Sequence, residues 1–474
     1  MTESSTVSIL DMDATTLSQK IQAQQLTSSE IVKTYINHIK SINPIINALV
    51  EDRFEEALKE AKQADEKVQQ GKPLGKLHGI PITLKDAMDV KGMKTTGGLI
   101  HLKDNVAEED AELVKRLKLE GAIIIGKTNT PVLCFCQETD NKLYGRTNNP
   151  WDITRTAGGS SGGEGALIAS GGAAVGIGSD IGGSIRFPSH FNGTVGFKSG
   201  NNQVPIKGNF PDVTIALQKR MFGVGAIAKS VADATLIHHI IADSIPKSVD
   251  LSQFELNIPI ENLVFPANDS TKRALLKAKS ALSNRFFIID SEPLYYRDAA
   301  LYWQLIMSIN NPTDSYIAFN GKRPRFLYEF LKEKLTKKSK LHFYYTWAGF
   351  GANLFKPSAK KVAELEEIIP KLEKEVNAYL QHRILILPVY HETALQHGKV
   401  YWEIFSIKKT FLKYMPFVAY ANTWGLPSLT VPVAEDERGL PIGLQVISAV
   451  GNEDAIFQVG QILENKLRGF KRAL

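Results

Sequence analysis

The chain is poor in cysteine, and this shortage excludes two kinds of stabilising site. Its 474 residues include two cysteines, Cys134 and Cys136. Two cysteines separated by a single residue are badly placed for a disulfide, and without neighbouring histidines they do not form a zinc site. We therefore predict no disulfide framework, no metal and no cofactor. This cysteine usage fits a reducing, cytoplasmic compartment.

Long apolar runs and strong net charge are also missing. The N-terminus has neither the basic region nor the apolar region of a secretory signal. The longest mildly apolar run, residues 165–178, is too short and too rich in glycine to span a bilayer. A formal charge of +6 is modest for this length and does not indicate nucleic-acid binding. The sequence predicts a soluble globular protein without an integral membrane segment.

What the sequence does contain is an alternation of helical and strand patterns. Thr27 and Glu30 form a capping box before an amphipathic helix. Further predicted elements are a helix over 51–70, a strand ending at Lys85, a helix over 109–119 and a strand over 122–126. Such alternation predicts an α/β fold with a mixed or parallel sheet. Residues 292–415 are less regular, more aromatic and more basic.

Two short motifs match catalytic or binding patterns in the wrong context. Residues 121–128 (GAIIIGKT) match a phosphate-binding loop, but a helix precedes them and three isoleucines fill the variable positions, which favours a buried strand. Residues 159–163 match the G-x-S-x-G elbow around Ser161, but the segment before them is polar and contains Pro150. We interpret both matches as accidental. A Ser-His-Asp triad is not excluded by sequence, because triads assemble in space.

A glycine- and serine-rich stretch over residues 158–188 is the strongest candidate site. A flexible linker would have this composition, but the apolar segments within it are fit for burial, so the glycines indicate close packing. Gly182, Gly183 and Ser184 supply successive backbone N–H groups, which suit a developing oxyanion. Local chemistry therefore makes Ser184 a candidate nucleophile without identifying its base.

At this stretch the sequence resembles the amidase-signature family, and within it the fatty acid amide hydrolase-like branch. The resemblance is carried by GGSSGGEGALIASGG, DIGGSIRFPSHFNG, HGIPITLKD, GKTNTP, YGRTNNPWD, GLPSLTVPV and GLPIGLQVI. It is almost continuous in the N-terminal half, returns near the C-terminus, and is weak between about residues 290 and 400. Motifs of this length with their spacing kept are specific.

The resemblance implies one large α/β fold over residues 1–474, with a central mixed β-sheet covered by helices on both faces. Within it we expect a helical N-terminal region (1–70), a catalytic core (71–290), a variable substrate-pocket region (291–400) and a core-completing C-terminal region (401–474).

The resemblance also assigns residues to roles. The catalytic lysine falls on Lys85, the bridging serine, held by a cis peptide, on Ser160, and the nucleophile on Ser184. The implied oxyanion donors are the backbone groups of Ile181, Gly182, Gly183 and Ser184. Burial at the end of an apolar strand would lower the pKa of Lys85 enough for a neutral amine to serve as base. Without the resemblance, an exposed strand-end lysine and a helix-capping Ser160 are the commoner interpretations.

Neighbouring residues receive supporting roles. Ser161 is expected either to hydrogen-bond within the triad or to line the loop. Asp180 and Arg186 are expected to pair and fix the turn around the nucleophile. Cys134 falls where relatives contact substrate through the backbone, and we expect its side chain to pack rather than react.

The branch resemblance implies a small-molecule amide with a hydrophobic acyl group as substrate. Ile181 favours this, because the glutamine-using amidotransferase subunits usually carry Thr there. The alternatives are the glutamine-hydrolysing amidase subunit of an amidotransferase complex and, more distantly, a P-loop nucleotide-binding protein. Residues 322–340 form a basic amphipathic stretch, which we interpret as a solvated helix face, with peripheral contact to an anionic membrane as the alternative. The sequence does not predict an oligomeric state.

Overall fold

A mixed β-sheet of eleven strands organises the computed structural model, which describes residues 8–309, 312–404 and 411–474. The strands of the chain are β1 Leu49–Asp52, β2 Pro81–Lys85, β3 Ile123–Thr128, β4 Asp140–Asn141, β5 Gly145–Arg146, β6 Asn148–Asn149, β7 Asp152–Thr156, β8 Val175–Asp180, β9 Val195–Lys198, β10 Gly223–Ala228, β11 Glu255–Asn257, β12 Ile288–Ile289, β13 Arg383–Pro388, β14 Ser428–Glu435 and β15 Pro441–Ile447. The large sheet has the order β1-β3-β2-β8-β10-β9-β14-β15-β13-β11-β12, while β4–β5 and β6–β7 form two small ribbons.

Helices connect these strands and cover the sheet. They are α1 Ala14–Gln22, α2 Ser28–Ile46, α3 Phe54–Gln69, α4 Glu112–Leu119, α5 Gly162–Ala169, α6 Arg186–Asn192, α7 Ala216–Met221, α8 Val231–Ile241, α9 Asp269–Leu282, α10 Tyr296–Met307, α11 Pro312–Ala318, α12 Phe326–Thr336, α13 Phe343–Leu354, α14 Ala359–Leu380, α15 Lys399–Ile404, α16 Phe411–Tyr414, α17 Pro416–Thr423 and α18 Glu453–Lys466. Among the described residues, no helix is both long and apolar enough to cross a membrane.

Both faces of the sheet are packed against helices, as the alternation of side chains along its strands shows. On β13, Ile384 and Ile386 belong to a core shared with α8, α9 and α18, whereas Leu385 and Leu387 belong to a second core shared with α10, α14 and α17. Successive strand residues point to opposite faces, so two separate apolar layers require helices on both sides. The predicted fold class is confirmed.

Three neighbouring parallel strands define the edge where the candidate site lies. β2 pairs in parallel with both β3 and β8. The carboxyl ends of parallel strands meet at one edge of a sheet, where open α/β sheets bind their ligands. Lys85 ends β2, Thr128 ends β3, and Asp180 ends β8 just before the turn that carries Ser184.

Most local predictions in the first third of the chain are confirmed. The Thr27 hydroxyl caps α2 by accepting a hydrogen bond from the Glu30 amide at 3.1 Å. The strand ending at Lys85 is β2, and the helix predicted over 109–119 is α4, which begins three residues later at Glu112. The helix predicted over 51–70 begins later, at Phe54, because the residues before it pair with β3 as strand β1.

The structure supports the interpretation that the phosphate-loop match and the G-x-S-x-G match are accidental. The Gly-Lys-Thr end of the phosphate-loop match lies inside β3, and a polar loop with a short 3₁₀ turn follows instead of a helix. The Lys127 amine is buried and donates to the Thr95 hydroxyl at 2.8 Å. Around Ser161 no strand leads directly into the turn, since β7 ends at Thr156.

The glycine-rich stretch is a packed segment and not a linker. Residues 158–180 and 182–188 are buried. A Cβ atom on Gly163 would lie 2.5 Å from the Asn129 amide nitrogen, and one on Gly159 would lie 2.5 Å from the Cys136 carbonyl oxygen. These glycines let α5 and the turn before it approach the backbone beyond β3 more closely than any other residue allows.

Candidate active site

Lys85 and Ser160 are in direct contact at the sheet edge. The Lys85 amine donates to the Ser160 hydroxyl at 2.7 Å and to the Ser179 hydroxyl at 3.1 Å. The peptide bond between Gly159 and Ser160 is cis, as the resemblance implies. Lys85 is completely buried, so the interpretation of this lysine as a surface residue is wrong.

The surroundings of Lys85 favour its neutral form. Burial lowers its pKa below the ordinary lysine value, and this influence outweighs Cys134, Asp180 and Glu164, which raise it. Removing an ammonium group from water penalises the charged form, and a serine hydroxyl compensates less than a carboxylate in contact would. Lys85 can therefore hold an unprotonated amine at a pH where a free lysine is charged.

Ser184 lies in the turn after β8, beside the turn that carries Ser160. The Ser161 amide donates to the Ser184 carbonyl oxygen at 3.1 Å, which ties the two turns together. The Ser184 hydroxyl makes no hydrogen bond within the described part of the chain, and the side chain lines a small cavity. Catalytic hydrogen bonds are often long without substrate and tighten only when substrate binds.

Backbone amides around Ser184 divide into two groups. The Gly183 amide donates to the Asp180 carboxylate at 2.8 Å and is already engaged. The amides of Ile181, Gly182 and Ser184 have no hydrogen-bond acceptor among the residues that the structure describes. These three amides are available for an oxyanion, so the implied set of four donors is reduced by one in this arrangement.

Asp180 and Arg186 hold this turn, as predicted. Their side chains form a fully buried ion pair at 3.0 Å. The Asp180 carboxylate also accepts from the backbone amides of Gly183 and Ile185, and the Arg186 guanidinium also reaches the Asn422 side chain. Burial alone would raise the pKa of Asp180, but Arg186 and the hydrogen bonds outweigh it and hold that pKa well below its ordinary value.

The other two supporting residues, Ser161 and Cys134, lie next to the candidate catalytic residues. The Ser161 hydroxyl donates to the Ser179 carbonyl oxygen at 3.5 Å, a long contact with the backbone. Cys134 is partly exposed, and its thiol accepts from the Thr130 hydroxyl at 3.4 Å. The thiol also lies close enough to Lys85 to influence its pKa.

An apolar cavity begins at Ser184. It has about 300 Å³ of empty space including its open part, and Phe135, Trp303 and Met307 are among its walls. The same three side chains border a second, larger cavity, which is lined further by Trp347 and its neighbours on α13. Trp303 and Met307, which lie in the region predicted to form the substrate pocket, thus supply two of the apolar walls next to the candidate nucleophile.

Sequence reasoning missed several residues that complete the site. Ser179 is a second hydroxyl partner of Lys85. Glu164 is fully buried in α5, where it accepts from Thr83 at 2.6 Å and from Thr128 at 2.9 Å. In the sequence, the presence of Glu164 within GGSSGGEG was the one indication of these contacts.

Gln137 is a further residue that the motifs did not indicate. Its side chain donates to the Gly182 carbonyl oxygen at 3.0 Å, and it lines the small cavity together with Ser184. This hydrogen bond holds the turn of the candidate nucleophile from the cavity side.

One group of potential metal ligands is present among the described residues, namely His391, Glu392 and Glu403, with ligand atoms within 4.8 Å of one another. Glu403 already accepts from the Tyr390 hydroxyl at 2.6 Å and contacts His391 at 2.8 Å. These hydrogen bonds account for the cluster without an ion.

Comparison with known proteins identifies the family. The model of the Amidase family matches residues 30–457, which is most of the chain. The chain belongs to the Amidase family. It is an enzyme that hydrolyses C–N amide bonds, as the amidase-signature motifs predict.

Relatives and solved structures agree with this assignment. Human fatty-acid amide hydrolase 2 is 29% identical, over 96% of this chain and 88% of its own length. A glutamyl-tRNA(Gln) amidotransferase subunit from Picosynechococcus is 29% identical, over 95% of this chain and 96% of its own length. The structure of 6-aminohexanoate cyclic dimer hydrolase with its substrate superposes with a TM-score of 0.81 at 22% identity, covering 98% of this chain and 99% of that one. This last likeness shows the shared fold.

Proposed function

We propose that this amidase acts on its own on a hydrophobic carboxylic amide, through Ser184 as nucleophile, Ser160 as proton bridge and Lys85 as base. The observation that carries the proposal is the 2.7 Å hydrogen bond from the buried Lys85 amine to the Ser160 hydroxyl. A buried lysine with a lowered pKa that contacts Ser160, together with Ser184 on the adjoining turn at an apolar cavity, suits acyl transfer without histidine.

The first half of the reaction forms an acyl-serine. The Ser184 oxygen bonds to the amide carbonyl carbon while its proton passes to Ser160, and the Ser160 proton passes to the neutral Lys85 amine. The carbonyl oxygen becomes an oxyanion held by the amides of the turn. As the intermediate collapses, the C–N bond breaks and Lys85 returns the proton through Ser160 to the leaving nitrogen, which departs as ammonia or amine.

Water completes the reaction by the same route. It attacks the acyl carbon while Ser160 and Lys85 accept its proton, and Ser184 recovers a proton as the carboxylic acid leaves. The enzyme returns to its starting protonation state, with a neutral amine on Lys85 and hydroxyls on both serines.

The walls of the cavity support a hydrophobic acyl group. Phe135, Trp303 and Met307 border both the small cavity at Ser184 and the larger one that continues toward α13. Apolar walls beyond a nucleophile favour an apolar acyl chain and offer little to the polar side chain of glutamine. The name of human fatty-acid amide hydrolase 2 fits the same substrate class.

The amidase subunit of an amidotransferase complex is the second candidate, because a relative of similar identity is named as an amidotransferase subunit. The two candidates differ in whether the purified chain hydrolyses a long-chain amide alone or turns over glutamine only with a partner.

The direct test is replacement of the nucleophile. Ser184→Ala is expected to abolish fluorophosphonate labelling and to reduce amide hydrolysis by at least about 10³-fold. Ser189→Ala is the matched control, because Ser189 is also buried, lies on α6 shortly after Ser184, and its hydroxyl has no hydrogen-bond partner among the described residues. Undiminished hydrolysis by Ser184→Ala would refute the mechanism. A screen of oleamide, short aliphatic amides, aryl amides and glutamine with the unmodified chain tests the substrate class.

A further inference from the structure

Gln137 carries a buried oxygen atom that has no partner beside Ser184. The Gln137 side chain is 4% exposed and lines the small cavity together with Gly182 and Ser184. Its Oε1 atom accepts no hydrogen bond from any residue within the part of the chain that the structure describes. A buried polar atom without a partner costs free energy, so a substrate group that donates to Oε1 would recover that cost.

The orientation of the Gln137 carboxamide follows from its neighbour. The Nε2 atom donates to the Gly182 carbonyl oxygen at 3.0 Å. A carbonyl oxygen only accepts hydrogen bonds, so the carboxamide cannot be turned over to place Oε1 against it. The nitrogen is therefore committed to the turn of the candidate nucleophile, and the oxygen is left as an acceptor on a side chain that lines the cavity.

The segment that carries Gln137 also packs against the turn of Ser160. A Cβ atom on Gly159 would lie 2.5 Å from the Cys136 carbonyl oxygen and 2.9 Å from the Gln137 carbonyl carbon. Only glycine permits so close an approach of two backbone segments. Gln137 thus adjoins both the turn of Ser160 and the turn of Ser184.

The carbonyl oxygens of the nucleophile turn already have donors. The Ile181 carbonyl oxygen accepts from the Trp303 indole at 2.7 Å, and the Gly182 carbonyl oxygen accepts from Gln137. The backbone amides of this turn are donors, so they suit the carbonyl oxygen of a substrate and not its N–H groups. Oε1 of Gln137 supplies the complementary group, an acceptor for a substrate donor.

We propose that Gln137 recognises the leaving group, with its Oε1 atom accepting a hydrogen bond from an N–H of the scissile amide. The inference rests on the proposed function, in which Ser160 returns a proton to the leaving nitrogen. As that nitrogen takes up the proton it gains positive charge, and its N–H groups become stronger donors. The hydrogen bond to Oε1 is then stronger in the transition state than in the bound substrate, which accelerates the cleavage of amides.

This role narrows the substrate class. Primary and secondary amides carry an N–H on the scissile nitrogen, whereas esters and N,N-disubstituted amides do not. An ester of the same acid would place an oxygen against Oε1 and leave that buried acceptor without a donor. The enzyme is therefore expected to select amides that carry at least one N–H.

The ratio of kcat/KM for an amide to kcat/KM for the matching ester tests this role. N-methyloleamide and methyl oleate share one acyl group and differ in the N–H. Gln137→Met removes the acceptor at nearly equal volume and is expected to lower the ratio at least about tenfold, and Gln137→Leu is a second apolar variant with the same expected result. Gln137→Glu keeps an oxygen at this position and should hold the ratio within about threefold of the unmodified chain.

Two controls separate recognition of the substrate from support of the turn. Trp303→Phe removes the donor to the Ile181 carbonyl oxygen and is expected to lower both rates equally, so that the ratio stays unchanged. Gln218→Met replaces another buried glutamine, whose side chain donates to the Ile306 carbonyl oxygen at 3.1 Å. This second control should also leave the ratio unchanged.

Fluorophosphonate labelling keeps the test distinct from that of the proposed function. The probe has no scissile N–H, so Gln137→Met should still be labelled at Ser184. Equal falls of the amide and ester rates in Gln137→Met would assign Gln137 to support of the turn and overturn the proposal, and so would unchanged rates. Labelling that persists in Ser184→Ala would instead count against the proposed nucleophile.

Discussion

Lys85 differs from the equally buried Lys229 in what its amine contacts. Lys229 donates to two backbone carbonyl oxygens and to the hydroxyl of Tyr35, whose pKa burial raises. The Lys85 amine instead donates to two serine hydroxyls, Ser160 and Ser179. A carbonyl oxygen only accepts, whereas a serine hydroxyl can also pass a proton to a neutral amine. The two serine hydroxyls favour Lys85 as the base of the proposed mechanism, and the carbonyl contacts of Lys229 favour a structural role for that residue.

The comparison of Lys85 with Lys229 yields a prediction. Lys85→Ala is expected to lower kcat by about 10²- to 10⁴-fold, because the proton of Ser160 loses its acceptor. The unmodified enzyme should lose activity as acid protonates Lys85, and the residual activity of the variant should lack that dependence. Lys229→Met is the control: Lys229 is also buried, with a pKa lowered to about 7, but it ties the N-terminal segment to α2. This control should lose stability while its kcat stays unchanged, and equal kcat losses in both variants would contradict the assignment.

Glu164 predicts a pH dependence of stability. Burial raises its pKa to about 8 from an ordinary value of 4.5. Between these values the unfolded chain releases the proton while the folded chain keeps it, so this residue lowers stability as pH rises through that range, by up to about 1.4 kcal/mol per unit. Glu164→Gln is neutral at every pH and nearly equal in shape. Urea unfolding at pH 5 and pH 8 should show a smaller loss of stability for the variant than for the unmodified chain, and parallel losses would disprove the raised pKa.

Two helical glycines, Gly163 in α5 and Gly351 in α13, differ in how closely other elements pack against them. A Cβ on Gly163 would meet backbone atoms of Asn129 at 2.5 Å, whereas a Cβ on Gly351 in α13 would meet no atom within 4 Å. Gly163→Ala is therefore expected to destabilise the protein by about 1–3 kcal/mol through overpacking and to impair the site that α5 helps to form. Gly351→Ala should stabilise the protein by up to about 1 kcal/mol, as alanine does in open helix positions.

Denaturant unfolding and fluorophosphonate labelling measure these two changes. Opposite signs of the change in unfolding free energy are the expected result. A Gly163→Ala variant as stable and as readily labelled as the unmodified chain would show that α5 tolerates displacement from β3.

Elements with a strong local pattern could be predicted from sequence, and those that depend on distant partners could not. The β-branched run before Lys85 and the helix cap at Thr27 are local signals: the run is strand β2, and the Thr27 hydroxyl accepts from the Glu30 amide. Strand β1 was missed because only pairing with β3, where Leu49 lies opposite Thr128, makes its four residues a strand. The spacing of Leu327, Leu331 and Leu335 on α12 is visible in the sequence, but their exposure depends on contacts of the opposite helix face with distant residues such as Lys142.

The same contrast between local sequence signals and contacts with distant residues applies to the candidate site. The resemblance assigned roles to Lys85, Ser160 and Ser184, because each lies within an unbroken motif. In the structure these residues lie on a strand end and two adjoining turns. The contacts of Ser179 and Glu164 with that site arise from the parallel pairing of β2, β3 and β8 and from the docking of α5. No motif could predict that the Gly183 amide is already hydrogen-bonded, because this bond depends on the side-chain conformation of Asp180.

Across the molecule, an apolar path joins the sheet edge to the helices that lie outside it. The sheet edge holds Lys85 and Ser184, the cavities between α10 and α13 continue from Ser184, and α12 covers α13 on the outside. In the proposed mechanism the sheet would fix Lys85 and Ser184, while helices α10 and α13 would determine which acyl group reaches them. This separation allows substrate preference to change without disturbing the hydrogen bond between Lys85 and Ser160.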